Sequence, residues 1–100
     1  MEDNSNINIL NSIFTNFKRF RSKEITLNEM VANISGNLTA LEGTDSDFID
    51  NFYYFIGEMD FIDTTETPSN AYDLAVKEVE KYETYLRSYF NNLLIKKGGL

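Results

Sequence analysis

One hundred residues, 42% of them hydrophobic, with a formal net charge of −7 and no cysteine or histidine, make one small domain with a modest core. That composition excludes disulfides and thiolate metal sites and is too apolar for a disordered acidic tail. It also disfavours DNA, RNA phosphates and anionic lipid as ligands, and favours a basic protein surface.

Ile9 or Leu10, Ile13, Phe14, Phe17 and Phe20 fall along one helical face and predict a first helix over about residues 5–21. It closes in the basic cluster Lys18, Arg19, Arg21 and Lys23, where cations complement the helix macrodipole. Thr26-Leu27-Asn28-Glu29 then has the form of a capping box, with Ile25 and Met30 spaced for a hydrophobic staple. A second helix over about 27–42 follows, its buried side carrying Leu27, Met30, Val31, Ile34, Leu38 and Leu41. Gly43 is placed to take the left-handed conformation that ends it.

Thr44 or Ser46 can cap a third helix over about 45–62, with Asp45 and Asp47 favourable in its first turn. Phe48, Phe52, Phe55, Met59 and Ile62 recur at three- and four-residue steps, flanked by Ile49 and Ile56, so this helix is deeply buried on one side. Thr67-Pro68 reads as a cap followed by proline at the first helical position, with Ser69 or Asn70 as other caps. The last helix, about 68–95, has Tyr72, Ala75, Val79, Tyr82, Leu86, Tyr89 and Leu93 alternating three and four residues apart. Its length lets one end project past the other three.

No repeat, strand-like alternation or low-complexity segment is present. Four amphipathic helices with short links predict an all-α antiparallel four-helix bundle, one domain over 1–100 with ends frayed at about 1–4 and 96–100. A three-helix alternative merges or melts the first segment. Met1 to Ser5 lacks the basic and apolar regions of a signal peptide, and no apolar run approaches the ~20 residues that span a bilayer. A cytoplasmic location, with no membrane contact, is the expectation.

The same residues argue against catalysis. Without histidine or cysteine the commonest general base, the best neutral nucleophile and the Glu-x-x-His di-iron pattern are all missing. Paired carboxylates act as acid and base only when burial splits their pKa values, and these acids fall on solvent faces. Asp45-Ser46-Asp47 with Asp50 lacks the glycine and the terminal glutamate of a calcium loop. The expectation is a protein that is no enzyme, with no cofactor and no metal.

Recognition is better supported. Between Lys23 and Lys77 there are eleven acids and no base, and residues 42–83 hold twelve acids against Lys77 and Lys81. Opposite the core stripe of the third helix lie Asp47, Asp50, Asn51, Tyr54, Glu58 and Phe61, with Asp60 near the edge and Asp63 following. Carboxylates accept bidentate arginine bonds, and tyrosine supplies contact area at low entropic cost. These eight residues are the candidate partner-binding set, and the reading against them is a solvated face that only keeps the bundle soluble.

The run Ile25-Thr26-Leu27 through Leu38-Thr39-Ala40-Leu41-Glu42, then Phe48 through Ile62, resembles small acidic helical bacterial proteins of the immunity type, the antidotes to secreted or contact-delivered toxins. The resemblance spans about residues 13–90 and implies an inhibitor that covers the basic active surface of a toxin such as a nuclease. No residue matches a family-defining functional motif, so the site rests on charge and periodicity. Two rivals remain: a phage or mobile-element inhibitor that mimics nucleic-acid charge, and a self-associating module that makes a homodimer through the last helix.

Overall fold

The computed structural model describes residues 2–98, with side chains over 6–95. Its elements are α1 (Glu2–Arg21), α2 (Leu27–Ala40), α3 (Ser46–Thr65) and α4 (Pro68–Gly98). Each helix packs on the next and α4 returns to α1, which closes a four-membered ring. The short links make neighbours antiparallel, and the aromatic contacts agree. Phe20 at the end of α1 meets Tyr72 at the start of α4, ring centroids 5.3 Å apart, while Phe48 at the start of α3 stacks on Tyr89 near the end of α4 at 4.2 Å.

The periodic apolar residues form one core. Leu10, Ile13, Phe17 and Phe20 come from α1, and Leu27, Met30, Val31, Ile34 and Leu38 from α2. Phe48, Phe52, Phe55 and Met59 come from α3, with Ala71, Ala75, Val79 and Leu86 from α4. Leu10 rather than Ile9 continues the α1 stripe inward, so the first segment is a full member of the bundle. The α4 seam turns inward too, with Ala75, Val79 and Leu86 completely buried. Phe17 stands at the centre, edge-on to Phe55 at 5.7 Å and parallel to Phe52 at 6.4 Å. Such pairs add about 0.5–1.5 kcal/mol beyond the area they bury.

Local signals set most boundaries. Glu29 N–H donates to Thr26 Oγ1 at 3.1 Å and Thr26 N–H donates to the Glu29 carboxylate at 2.8 Å, so both halves of the capping box form. Thr67 caps α4, its hydroxyl accepting from Asn70 N–H at 3.4 Å, with Pro68 as the first helical residue. The basic cluster is absorbed within the fold. Arg21 makes a two-pronged pair with Glu83, and its carbonyl accepts from the Tyr72 hydroxyl at 2.6 Å. Lys23, at φ 62°, lies with Nζ 4.6 Å from the centre of the Tyr72 ring.

Three boundaries differ from those the sequence predicts. Helix α2 stops at Ala40, two residues early, because Asn6 pairs with the Glu42 peptide: its amide donates to the Glu42 carbonyl and accepts from the Glu42 N–H at 3.2 Å. Gly43 does take φ +67°, but in the link rather than directly after the helix. Helix α3 is preceded by Asp45, whose side chain makes no capping bond, where Thr44 or Ser46 was expected. It runs on to Thr65, where Glu66 N–H closes the last turn on the Ile62 carbonyl at 3.1 Å, and the hydroxyls of Thr64 and Thr65 bond back to the carbonyls of Asp60 and Phe61. Of the ends expected to fray, 2–4 belong to α1 and 96–98 to α4; the rest of those ends lies outside the described residues.

A helix of 31 residues spans about 46 Å, against about 30 Å for the 20 residues of α1 or α3. The long axis of the molecule, 48 Å, is therefore that of α4, whose C-terminal turns project past the bundle. Leu94 and Ile95 are exposed there. Among the described residues no helix is long and apolar enough to cross a membrane.

Candidate functional site

The inward set Phe48, Phe52, Phe55 and Met59 fixes the rotation of α3, and its outer face follows from 3.6 residues per turn. Asp47, Asp50, Asn51, Tyr54, Asp60, Phe61 and Asp63 are all exposed, and Glu58 is half-buried. They do not form one cluster. Tyr54, Glu58 and Phe61 come together with Tyr53, Gly57 and Ile62 around a shallow groove of about 490 Å³. Asp50 continues that face towards the helix N-terminus. Asp60 and Asp63 fall on the opposite flank from Asn51, and Asp63 contributes to a different hollow.

Exposure of the rings is the unusual feature. Tyr54 is 64% and Phe61 67% accessible, with Tyr53 at 46%, so three large aromatic side chains stand on a helix whose inner face is already saturated. Large apolar side chains exposed together, rimmed by polar residues, mark interaction sites more often than isolated ones do. Tyr53, outside the candidate set, lines the groove beside Gly57 as well.

The electrostatics are one-sided. Among the described residues, every ion pair lies off α3: Arg19 with Glu24, Arg21 and Arg87 with Glu83, and Lys81 with Glu78. Among the described residues the acids of α3 therefore have no contact cation to offset them. The Tyr54 phenol is held above its ordinary value, first by its hydrogen bond to the Glu58 carboxylate and then by that carboxylate's charge. Tyr82 is raised first by burial and next by Glu58, and Tyr89 first by burial and next by the charge of Asp45. Tyr54 consequently stays a neutral hydrogen-bonding group at any physiological pH.

Asn51 has an internal task. Its amide donates to the Tyr85 hydroxyl at 3.0 Å, bracing α3 against α4, and the two residues border a hollow of about 370 Å³ with Lys81 and Tyr82. Tyr85 was not legible as a packing residue, because it sits beside the heptad seam; the structure places its ring 5.8 Å from Phe48 and parallel to it.

A second hollow, of about 630 Å³, lies at the end of the bundle between the α1–α2 and α3–α4 links. Phe20, Ile25, Leu27 and Tyr72 line it together with the acids Glu24, Asp63, Glu66 and Asp73. Lys23 already sits among these acids, on the Tyr72 ring. Sequence reading missed this hollow because its walls come from two links some 40 residues apart. Among the described residues no three acids are gathered as a metal-holding group. Compared with known proteins, the chain matches no family model, no curated protein and no solved structure.

Proposed function

We propose that this chain is a stoichiometric binding protein, and not an enzyme, that engages a basic protein surface through residues 42–63, centred on the outer face of α3. The observation that carries the reading is the coincidence on one helix of uncompensated carboxylates and exposed aromatic rings. Charge complementarity would steer the encounter and raise the association rate ten- to a thousand-fold, an effect that fades with salt. The rings supply the contact area that charge alone does not. A nuclease or other nucleic-acid-binding protein, whose active groove is basic, is the fitting target, and neutralising such a toxin is the biological role proposed.

The test is capture by the immobilised chain at low and high salt, compared with the double variant Asp50→Lys, Glu58→Lys. A basic protein held at low salt and released at high salt is expected, with capture by the variant weaker by at least about tenfold. Asp50 is exposed and Glu58 half-buried at the edge of that face, and neither belongs to the buried core, so the helical circular dichroism should be unchanged. Equal capture by the wild type and the reversed chain would remove α3 from the interface.

A further inference from the structure

Gly57 is the residue of α3 that the fold does not explain. It stands in mid-helix, where only proline is a poorer helix former, and a Cβ built on it meets nothing within 4 Å. No turn, close approach or positive φ asks for it. Gly36 of α2 is equally open, but its neighbours at three- and four-residue steps are Ala32, Asn33, Thr39 and Ala40, which form no groove. Around Gly57 the corresponding neighbours are Tyr53, Tyr54, Asp60 and Phe61, all exposed, and three of the four are large aromatic rings.

Tyr54, Gly57, Glu58 and Phe61 stand at i, i+3, i+4 and i+7. That is the set of four residues that surrounds a knob donated by a facing helix. Here one corner has no side chain, two are aromatic walls and the fourth is a carboxylate, and together with Tyr53 and Ile62 they line the open groove of about 490 Å³. From this geometry we infer that the hole receives a long cationic side chain, arginine or lysine, presented by an amphipathic helix of the partner. The stem lies between Tyr54 and Phe61 over the bare backbone of Gly57, and the charged head reaches Glu58. Arginine suits the site better, because its planar guanidinium both stacks on aromatic rings and forks onto a carboxylate.

Charge selects this occupant over a second copy of the chain. Every charged residue of α3 is acidic, so pairing two α3 faces would set Asp47, Asp50, Glu58 and Asp60 against their own kind. The inference rests on the reading of α3 as the partner face, and adds that the partner's contacting element is a helix.

Two synthetic peptides of about 20 residues and identical composition decide it. One sets arginine and leucine along a single helical face with lysine elsewhere; the other scrambles that order. Each is titrated into the full-length protein at physiological salt, followed by calorimetry and backbone amide NMR. The ordered peptide should bind at least tenfold tighter than the scrambled one and shift the amides of Tyr54, Gly57, Glu58 and Phe61. Gly57→Gln fills the hole with a good helix former, so it should erase that tenfold preference while raising the melting temperature. If both peptides bind alike and Gly57→Gln changes neither, the helix-hole inference falls while the acidic-face reading stands. Ordered-peptide binding that survives Asp50→Lys, Glu58→Lys unweakened overturns the acidic-face reading itself. Binding of neither peptide at millimolar concentration overturns both.

Discussion

Glu58 carries two tasks that its neighbours make visible. It is half-buried on the flank of α3 next to α4, and it is the carboxylate that chiefly raises the Tyr54 phenol. A phenol whose folded pKa is raised above the unfolded value of about 10 holds its proton more tightly in the native state. The stability it lends is therefore complete below about pH 10 and is lost as the pH rises through the folded value. Glu58→Gln removes the charge, so the Tyr54 midpoint should fall back towards the ordinary phenol value. Tyr82, where Glu58 is the second cause after burial, should fall by less. Tyr89 owes its shift to burial and Asp45 and should stay where it is, which makes it the internal control. Ring-proton NMR over about pH 8–12 reads each tyrosine separately. A Tyr54 midpoint that ignores the substitution would show that Glu58 is not what perturbs it.

Among the elements, α2 is the one whose start is most fully specified by local chemistry. Thr26 and Glu29 exchange two hydrogen bonds at its first turn, and no other helix start among the described residues shows that reciprocal pair. Thr26→Ala removes the hydroxyl that accepts from Glu29 N–H and leaves only the backbone half of the box, and the loss of such a cap costs about 1 kcal/mol, or roughly 4–8 °C in melting temperature for a domain of this size. Asn28→Ala, two residues on in the same first turn and also exposed, is the control. A thermal melt in which the two variants fall together would deny the box its stabilising role. The contrast with the other end of α2 shows what a sequence can reveal. The box is written within four residues and was legible; the stop at Ala40 depends on Asn6, 36 residues from Glu42 in the chain, and was not. The apolar stripes were legible for the same reason as the box, since a 3.6-residue period is local information. Asn51 reads as a surface residue from its position alone, and its bond to Tyr85 emerges only when α3 and α4 are docked.

For the molecule as a whole, the charge is sorted along the chain: residues 42–83 carry twelve acids and two bases, while the first 41 residues balance four against four. That asymmetry was readable at once, and so was the outer face of α3, because helical rotation turns a linear pattern into a surface. The groove was not, because it depends on a glycine that no stripe singles out and on how far the rings stand from the core. The sorted charge gives salt two opposite effects. Two like charges about 15 Å apart in water repel by roughly 0.3 kcal/mol, and folding brings many such acids within that range. The Debye length is about 30 Å at 0.01 M salt and about 3 Å at 1 M, so salt screens this repulsion across the bundle. It acts less on the Arg21–Glu83 pair, whose groups are in contact and partly buried. Adding salt across that range should therefore raise the melting temperature of the free protein. The same screening weakens attraction to a cationic partner, so affinity for the ordered arginine-leucine helix should fall over the same range. Melting curves and binding isotherms on one salt series separate the two effects. A melting temperature that falls with salt would mean that attractive pairs outweigh the acidic crowding, and that the acids of residues 42–83 are already balanced within the fold.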